Sequence, residues 1–334
     1  MKIQTLYFQA PYRVETCESE LPALAPGQVL VKTAFSAISP GTEMLVYRGQ
    51  CQTGVVDEND SLSSNIQYPL AYGYACVGTV VEIGKEVAPH WLGQTVFSFQ
   101  PHASYFLSRP EALIPVPESC SPERACFFAN METAVNLVQD AAPILGEKVL
   151  VLGQGIVGLL TSALLAEFPL EKLVSVDKFF LRRQASLAAG VDSALDPASA
   201  GFAEAARAIL TPGADLALEL SGSPLALNAA IALTRFSGRI IIGSWYGEKR
   251  APIDLGGVFH RSRIKLISSQ VSSIAPELSG RWDKARRYEA AWAALSRTRP
   301  EKWISQRFPL ERGAEAYQLL DQSAETAIQV VFAY

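Results

Sequence analysis

Histidine and methionine are scarce in this chain, three of each, and its five cysteines are scattered. Cys17, Cys51, Cys76, Cys120 and Cys126 contain no C-x-x-C pair. Such a set supplies neither a disulfide framework nor a zinc knuckle, and it reads as reduced thiols of an intracellular protein. No apolar run approaches the roughly 18 residues that a membrane span needs. The N-terminal MKIQTLYFQAPYRVE also lacks the apolar core of a signal peptide. Together these absences predict a soluble cytoplasmic protein with no membrane partner. A basic excess is missing too: the net charge is −4, with no stripe of lysine and arginine interleaved with aromatics. Nucleic acid is therefore not an expected partner. Neither an internal repeat nor a low-complexity segment is present. What remains is an ordinary globular composition, 49% hydrophobic and 19% charged, over 334 residues. That length exceeds what one core supports, so two domains are expected.

The most informative stretch runs from Lys148 to Lys178. Val149-Leu150-Val151-Leu152 has the composition of a strand buried on both faces. Gly153, Gly155 and Gly158 follow in G-x-G-x-x-G spacing, and the helix they open begins at Ile156 and Val157. Leu173 to Val176 reads as a second strand ending at Asp177. The three glycines serve different ends, namely the tight turn, the close approach of backbone to a pyrophosphate, and the packing of helix on strand. The helix start offers unbonded N–H groups and a positive dipole end to phosphates. Asp177 lies nineteen residues past Gly158. There a carboxylate accepts from the adenosine ribose hydroxyls and repels a 2′-phosphate, so NAD is favoured over NADP. Lys178, Arg182 and Arg183 stand close enough to soften that preference, and NADP stays open.

Residues 1 to about 120 are β-rich, with strand signals at Gln28–Ala34, Val77–Gly84 and Gln94–Phe99, punctuated as in a small barrel or sandwich. The middle alternates strand and helix: helices near 179–189, 201–210 and 224–234, and strands at Asp215–Leu220, Arg239–Gly243 and Ile264–Ser268. That rhythm predicts a doubly wound parallel sheet, an α/β fold. Arg281 to Arg297 reads as an amphipathic helix whose Trp282, Tyr288 and Trp292 serve packing. Ala327 to Phe332 reads as a strand that returns to the first domain.

The order of these parts resembles the medium-chain dehydrogenase/reductase superfamily over essentially the full length. The resemblance is carried by Gln28–Lys32, Gly41-Thr42-Glu43, Gly73-Tyr74, Val77–Gly84, the glycine motif, Leu218–Pro224 and Gln306–Tyr317. It implies a GroES-like catalytic domain of residues 1–121 and 273–334 and a Rossmann dinucleotide-binding domain of residues 122–272. Zinc-dependent members hold their metal with a cysteine in a C-G-I-C-G-T-D type motif and a histidine in G-H-E. Here the corresponding segments read Ser36-Ala-Ile-Ser39-Pro-Gly-Thr-Glu43 and Gly73-Tyr74-Ala75, and the four-cysteine structural lobe is missing. Catalytic zinc needs three ligands drawn from cysteine, histidine and carboxylate. The resemblance is therefore to a zinc-free branch, loosely bacteriochlorophyllide dehydrogenase-like and alcohol dehydrogenase-like.

Without a metal, side chains must manage the charge on a substrate oxygen. Tyr74 stands where the metal-binding histidine is lost; it either donates to a carbonyl, acting as acid or base if a nearby positive charge lowers its pKa, or simply fills the pocket. His102 is either a proton shuttle beside the cleft or a satisfied surface-loop residue. Glu132, the one carboxylate that matches a third ligand position of the family, either bonds the ribose or orients a donor, or is a buried structural carboxylate. Ser39 and Glu43 are weaker candidates. Expected cofactor contacts are Thr133, Ser221, Gly222, Gly243, Ser244, Trp245, Ser268, Ser269 and Gln270, with Trp245 and Tyr246 alternatively in a core or an interface. The activity implied is zinc-independent NAD(P)-dependent hydride transfer between nicotinamide and an alcohol/carbonyl pair on a small molecule. Reduction of a quinone or enone C=C bond and a catalytically silent dinucleotide-binding protein are the alternatives. By analogy with the family, a homodimer joined through the edge strand Arg263–Val271 is expected.

Overall fold

Residues 1–51 and 66–334 are described by the computed structural model. They divide into two compact units, one made of the described residues up to 129 together with 295–334, the other of residues 130–294.

The first unit is built on a seven-stranded sheet whose centre is the strand Val29–Ala37. Six of its nine side chains are apolar, and both ends of the strand are buried. It pairs antiparallel with Cys76–Ile83, with Tyr105–Ser108 and with the C-terminal strand Gln329–Ala333. The chain end does return to this unit, as the run Ala327–Phe332 suggests: Val331 faces Ala37 and Phe332 faces Ser36. That register brings Ser36 and Tyr334 together. A three-stranded sheet, Arg13–Glu20, Lys2–Ala10 and Leu70–Ala71, completes the unit's β structure among the described residues.

The second unit holds a six-stranded parallel sheet. In chain order its strands are Lys148–Leu152, Lys172–Val176, Ser193–Leu195, Ala214–Glu219, Thr234–Ile242 and Lys265–Ser268. Numbered that way, they lie in the order 3-2-1-4-5-6, and the direction of winding reverses between Lys148–Leu152 and Ala214–Glu219. Alternation explains the two layers. Val149 and Val151 point into a core with Leu137, Ala141 and Leu165, whereas Leu150 and Leu152 point into another with Ala206, Leu210, Leu227 and Ile231. A strand with both faces covered has no place for a polar side chain, and each such Val or Leu contributes about 1.5–3 kcal/mol of burial.

Residues 273–294, which the sequence reading puts with the first domain, pack in the second unit. The helix expected over Arg281–Arg297 runs Lys284–Thr298, started by Asp283, whose carboxylate accepts from the N–H of Arg286 at 2.8 Å. Its innermost polar side chain is Arg287, fully buried, while the rings of Trp282, Tyr288 and Trp292 are half-buried. Among the described residues no helix is long and apolar enough to cross a membrane.

Candidate functional site

In the second unit the three motif glycines meet three different surroundings. Gly153 has φ +93°, and a side chain there would stand 2.5 Å from the Cα of Ser221. A Cβ on Gly158 would collide with the carbonyl oxygen of Gly153, so this glycine lets the helix Ile156–Leu165 pack on the turn. At Gly155 the space is open; only Arg182 Nη1 comes near, at 3.9 Å from a Cβ position. Protein packing does not require glycine at that point, but a phosphate approaching the backbone does. Gly155 caps the helix without a side-chain hydrogen bond, so no capping side chain takes up the N–H groups of its first turn, from Ile156 and Val157 onward.

Asp177 lies beside this loop and is 7% exposed. Its carboxylate accepts from the N–H of Gln154 at 2.7 Å and from that of Phe179 at 2.8 Å. Of the three cations expected to offset it, Arg183 is tied to the carbonyls of Asp177 and Lys178 and to Asp196. Lys178 and Arg182 lie over the Phe179 ring, 4.6 and 4.8 Å from its centroid. Burial pulls the Arg182 guanidinium below its ordinary pKa, and the Asp177 charge acts the other way.

The carboxyl ends of the neighbouring strands carry the other expected contacts. Glu219, fully buried, accepts from the N–H of Ser221 at 2.8 Å, from the Ser221 hydroxyl and from the Tyr246 hydroxyl at 2.5 Å. Gly222 has φ +68° and donates to Ser244 Oγ at 2.9 Å. Gly243 packs against Leu137, and Trp245 is 41% exposed, which removes it from the core. Ser269 is held from two sides, donating to Asp140 at 2.6 Å and accepting from Asn136 at 2.9 Å. Ser268 and Gln270 flank it and are exposed, while Thr133 is half-buried in the helix Phe128–Ala141.

Glu132 is engaged by two cations. It is 3% exposed, and one oxygen accepts from Arg287 at 2.8 and 3.1 Å and from Lys284 at 2.9 Å. Arg287 also donates to Asn136 at 2.6 Å and to the carbonyls of Val271 and Ser273. The pair ties the segment after Ser268–Gln270 to the helix that carries Thr133, which is the structural alternative weighed for this carboxylate.

In the first unit, hydroxyls and one imidazole gather around Glu43. The Tyr74 hydroxyl donates to Ser39 Oγ at 2.5 Å and also bonds the side chain of Thr42. The N–H of Ser39 donates to Glu43 Oε1 at 2.8 Å. Glu43 Oε2 lies 2.9 Å from His102 Nε2 and accepts from the Tyr317 hydroxyl. His102 Nδ1 lies 2.7 Å from Ser36 Oγ, which meets the Tyr334 hydroxyl at 2.8 Å. Two expectations are corrected here. His102 is neither a cleft-lining shuttle nor a surface-loop residue, because it is fully buried with both ring nitrogens engaged. Tyr74 has no lowered pKa, because among the described residues no cation pulls it down. Although the residue as a whole is half-buried, burial of its hydroxyl pushes the phenol up to about 12, with Glu43 adding to the rise. The Ser36–His102–Glu43 alignment has the connectivity of a hydrolytic triad, but all three are fully buried and offer no nucleophile to a substrate.

Comparison with known proteins agrees with this architecture. Residues 25–114 match the alcohol dehydrogenase GroES-like domain. The D-guloside 3-dehydrogenase of Escherichia coli K12 is 23% identical over 98% of this chain and 99% of its own. An alcohol dehydrogenase of Escherichia coli CFT073, solved with NADH, superposes with a TM-score of 0.79 at 18% identity, covering 100% of this chain and 99% of that one. The family match is confined to residues 25–114, and over the whole chain these dehydrogenases share its fold. A Sinorhizobium meliloti structure described as a zinc-binding dehydrogenase, bound to NADP, is equally close in fold, with a TM-score of 0.79 at 17% identity over 100% of both chains.

The altered motifs at Ser36–Glu43 and Gly73-Tyr74 raise the question of a metal. Among the described residues no group of three or more histidine, cysteine, aspartate or glutamate side chains is placed to hold an ion. Tyr74, Ser39 and Thr42 present hydroxyls, Glu43 and His102 are spent on each other, and Glu132 is neutralised by two cations. This donor set does not match the ligand chemistry of catalytic zinc.

Sequence reasoning missed Ser36, Tyr317 and Tyr334 around Glu43, and Arg287 and Glu219 in the second unit. Tyr317 and Glu219 did fall inside the segments that carried the family resemblance, and Ser36 opened the altered metal motif. Arg287 gave no signal, since an arginine in an amphipathic helix normally lies on the wet face.

Proposed function

We propose that this protein is a zinc-independent, NAD-dependent dehydrogenase that interconverts a secondary alcohol and its ketone, with the Tyr74–Ser39 hydroxyl pair acting on the substrate oxygen. The observation that carries the reading is the 2.5 Å bond from Tyr74 to Ser39, anchored on buried Glu43 where metal-binding relatives need cysteine and histidine. NAD, when bound, supplies the hydride acceptor. The chain's own residues supply the rest. Gly153, Gly155 and the start of the helix at Ile156 receive the pyrophosphate, and Asp177 receives the ribose, its charge disfavouring a 2′-phosphate. Tyr74, its pKa raised to about 12, stays protonated and donates to Ser39 Oγ, which leaves the Ser39 hydroxyl hydrogen as the donor to the oxygen that gains negative charge. The alcohol proton leaves to water as the C–H hydride is transferred.

D-gulosides, the substrate class named for the relative above, belong in the first assay panel with simple vicinal diols and with enones. The decisive experiment combines metal analysis of the purified protein with NAD-linked turnover of that panel. Turnover of an alcohol by protein free of zinc, reduced about tenfold to a hundredfold in Tyr74→Phe with NADH affinity kept, supports the reading. Stoichiometric zinc whose removal abolishes activity, or reduction of enones alone, sinks it. The strand Lys265–Ser268 ends the parallel sheet, and we propose that a second copy of the chain covers that edge.

A further inference from the structure

His102 touches both chain segments that carry the hydroxyl pair. On one side its Nε2 meets Glu43 Oε2 at 2.9 Å, and the other oxygen of that carboxylate holds the N–H of Ser39 at 2.8 Å. On the other side the imidazole lies against the backbone that leads into Tyr74. Gly73 has φ +133°, and a side chain there would stand 3.0 Å from both Cδ2 and Nε2 of His102. The histidine is itself immobilised: its carbonyl accepts from the N–H of Leu6 at 3.0 Å, Nδ1 meets Ser36, and the ring packs edge-on against Phe332 at 5.0 Å.

We propose that His102 is the positioning residue of the Tyr74–Ser39 pair: one buried imidazole fixes Ser39 through Glu43 and Tyr74 through Gly73. It does not touch substrate, because it is fully buried and both nitrogens are engaged. Tyr74 stands where metal-binding relatives have an imidazole, and the histidine that meets Glu43 comes from a different segment. The inference rests on the reading of Tyr74 given above.

The test is a double-mutant cycle with a spectroscopic arm. His102→Leu should lower kcat about tenfold to a hundredfold with NADH affinity unchanged within about twofold, as expected when reacting groups shift by a fraction of an ångström. His102→Gln keeps an N–H toward Glu43 and should recover most of the loss. In a Tyr74→Phe background, His102→Leu should cost little more. Losses that multiply in the double variant, or a kcat unmoved in both His102 variants, overturn the proposal. A substrate-free arm uses protein labelled with ζ-13C-tyrosine. The Tyr74 resonance, assigned by its disappearance in Tyr74→Phe, should shift in His102→Leu and return most of the way to its wild-type position in His102→Gln, while the Tyr246 resonance stays in place. An unshifted Tyr74 signal refutes the positioning role. Unchanged turnover in Tyr74→Phe instead refutes the functional reading of Tyr74, and the resonance shift still decides the role of His102.

Discussion

Glu43 and Glu132 are both buried carboxylates, one in each unit, and they are satisfied in opposite ways. Glu132 accepts from two cations, Arg287 and Lys284. Glu43 accepts from a backbone N–H, an imidazole and a phenol. A carboxylate neutralised by a guanidinium is locked, since moving either partner strands a charge in a low-dielectric interior. One held by hydrogen-bond donors that belong to the site organises those donors. The first arrangement suits a fastening and the second a place where chemistry is managed.

The sharpest way to break this comparison is to remove one member of each network. Arg287→Leu leaves Glu132 with only the half-exposed Lys284 and should cost about 3–5 kcal/mol of stability. Glu43→Gln keeps the shape and an acceptor for Ser39, and should cost about 1–3 kcal/mol while reducing turnover far more than Arg287→Lys does. Urea unfolding of both variants provides the measurement. Equal stability losses, or an Arg287→Lys defect confined to turnover, would erase the distinction.

A second contrast lies within the glycine loop. Gly153→Ala places a side chain 2.5 Å from the Ser221 backbone at φ +93° and should destabilise the protein by about 1–3 kcal/mol. Gly155→Ala meets nothing but Arg182 Nη1 at 3.9 Å, so its stability should stay within about 0.5 kcal/mol of wild type. NADH affinity, read by fluorescence titration, should nonetheless fall about tenfold or more, because the new methyl occupies the place of the pyrophosphate. A Gly155→Ala protein that binds NADH normally would move the dinucleotide away from this loop.

These two contrasts also mark how far the sequence could be read. The glycine loop was legible because its constraints are local: a buried strand, a turn, a helix start and Asp177 fall within about 30 residues, the span of one βαβ unit. The parallel sheet was legible for the same reason, through runs such as Val149–Leu152 and Arg239–Gly243. The Glu43 network was only partly legible, because its members come from residues 36, 39, 43, 74, 102, 317 and 334 and are joined by tertiary packing. Tyr74 and Ser39 were found through the altered motif, but their mutual bond depends on a fold that no spacing encodes. The rise in the Tyr74 pKa follows from burial, which sequence does not report. The ion pair of Glu132 could not be read from the sequence because its partner Arg287 lies 155 positions away.

The smallest expected effect tests whether burial, and not charge pairing alone, makes the Glu132–Arg287 pair matter. In the first unit Arg124 grips Glu301 through Nε at 3.0 and 3.1 Å and Nη2 at 2.7 Å, a geometry as good as that of Arg287 on Glu132. These side chains are 15% and 25% exposed, against 0% and 4% for the buried pair. Partial burial raises the Glu301 carboxyl, the Arg124 hydrogen bonds lower it, and the net value lies below the usual carboxylate range. A depressed folded-state pKa gives stability that is present above the unfolded value and lost as pH falls through the folded one. Glu301→Gln should therefore cost less than about 1 kcal/mol at neutral pH, shrink further in high salt, and leave the difference from wild type close to zero at strongly acidic pH. If Glu301→Gln costs as much as Arg287→Leu, solvent exposure is not what separates the two pairs, and the structural role assigned to Glu132 loses its physical basis.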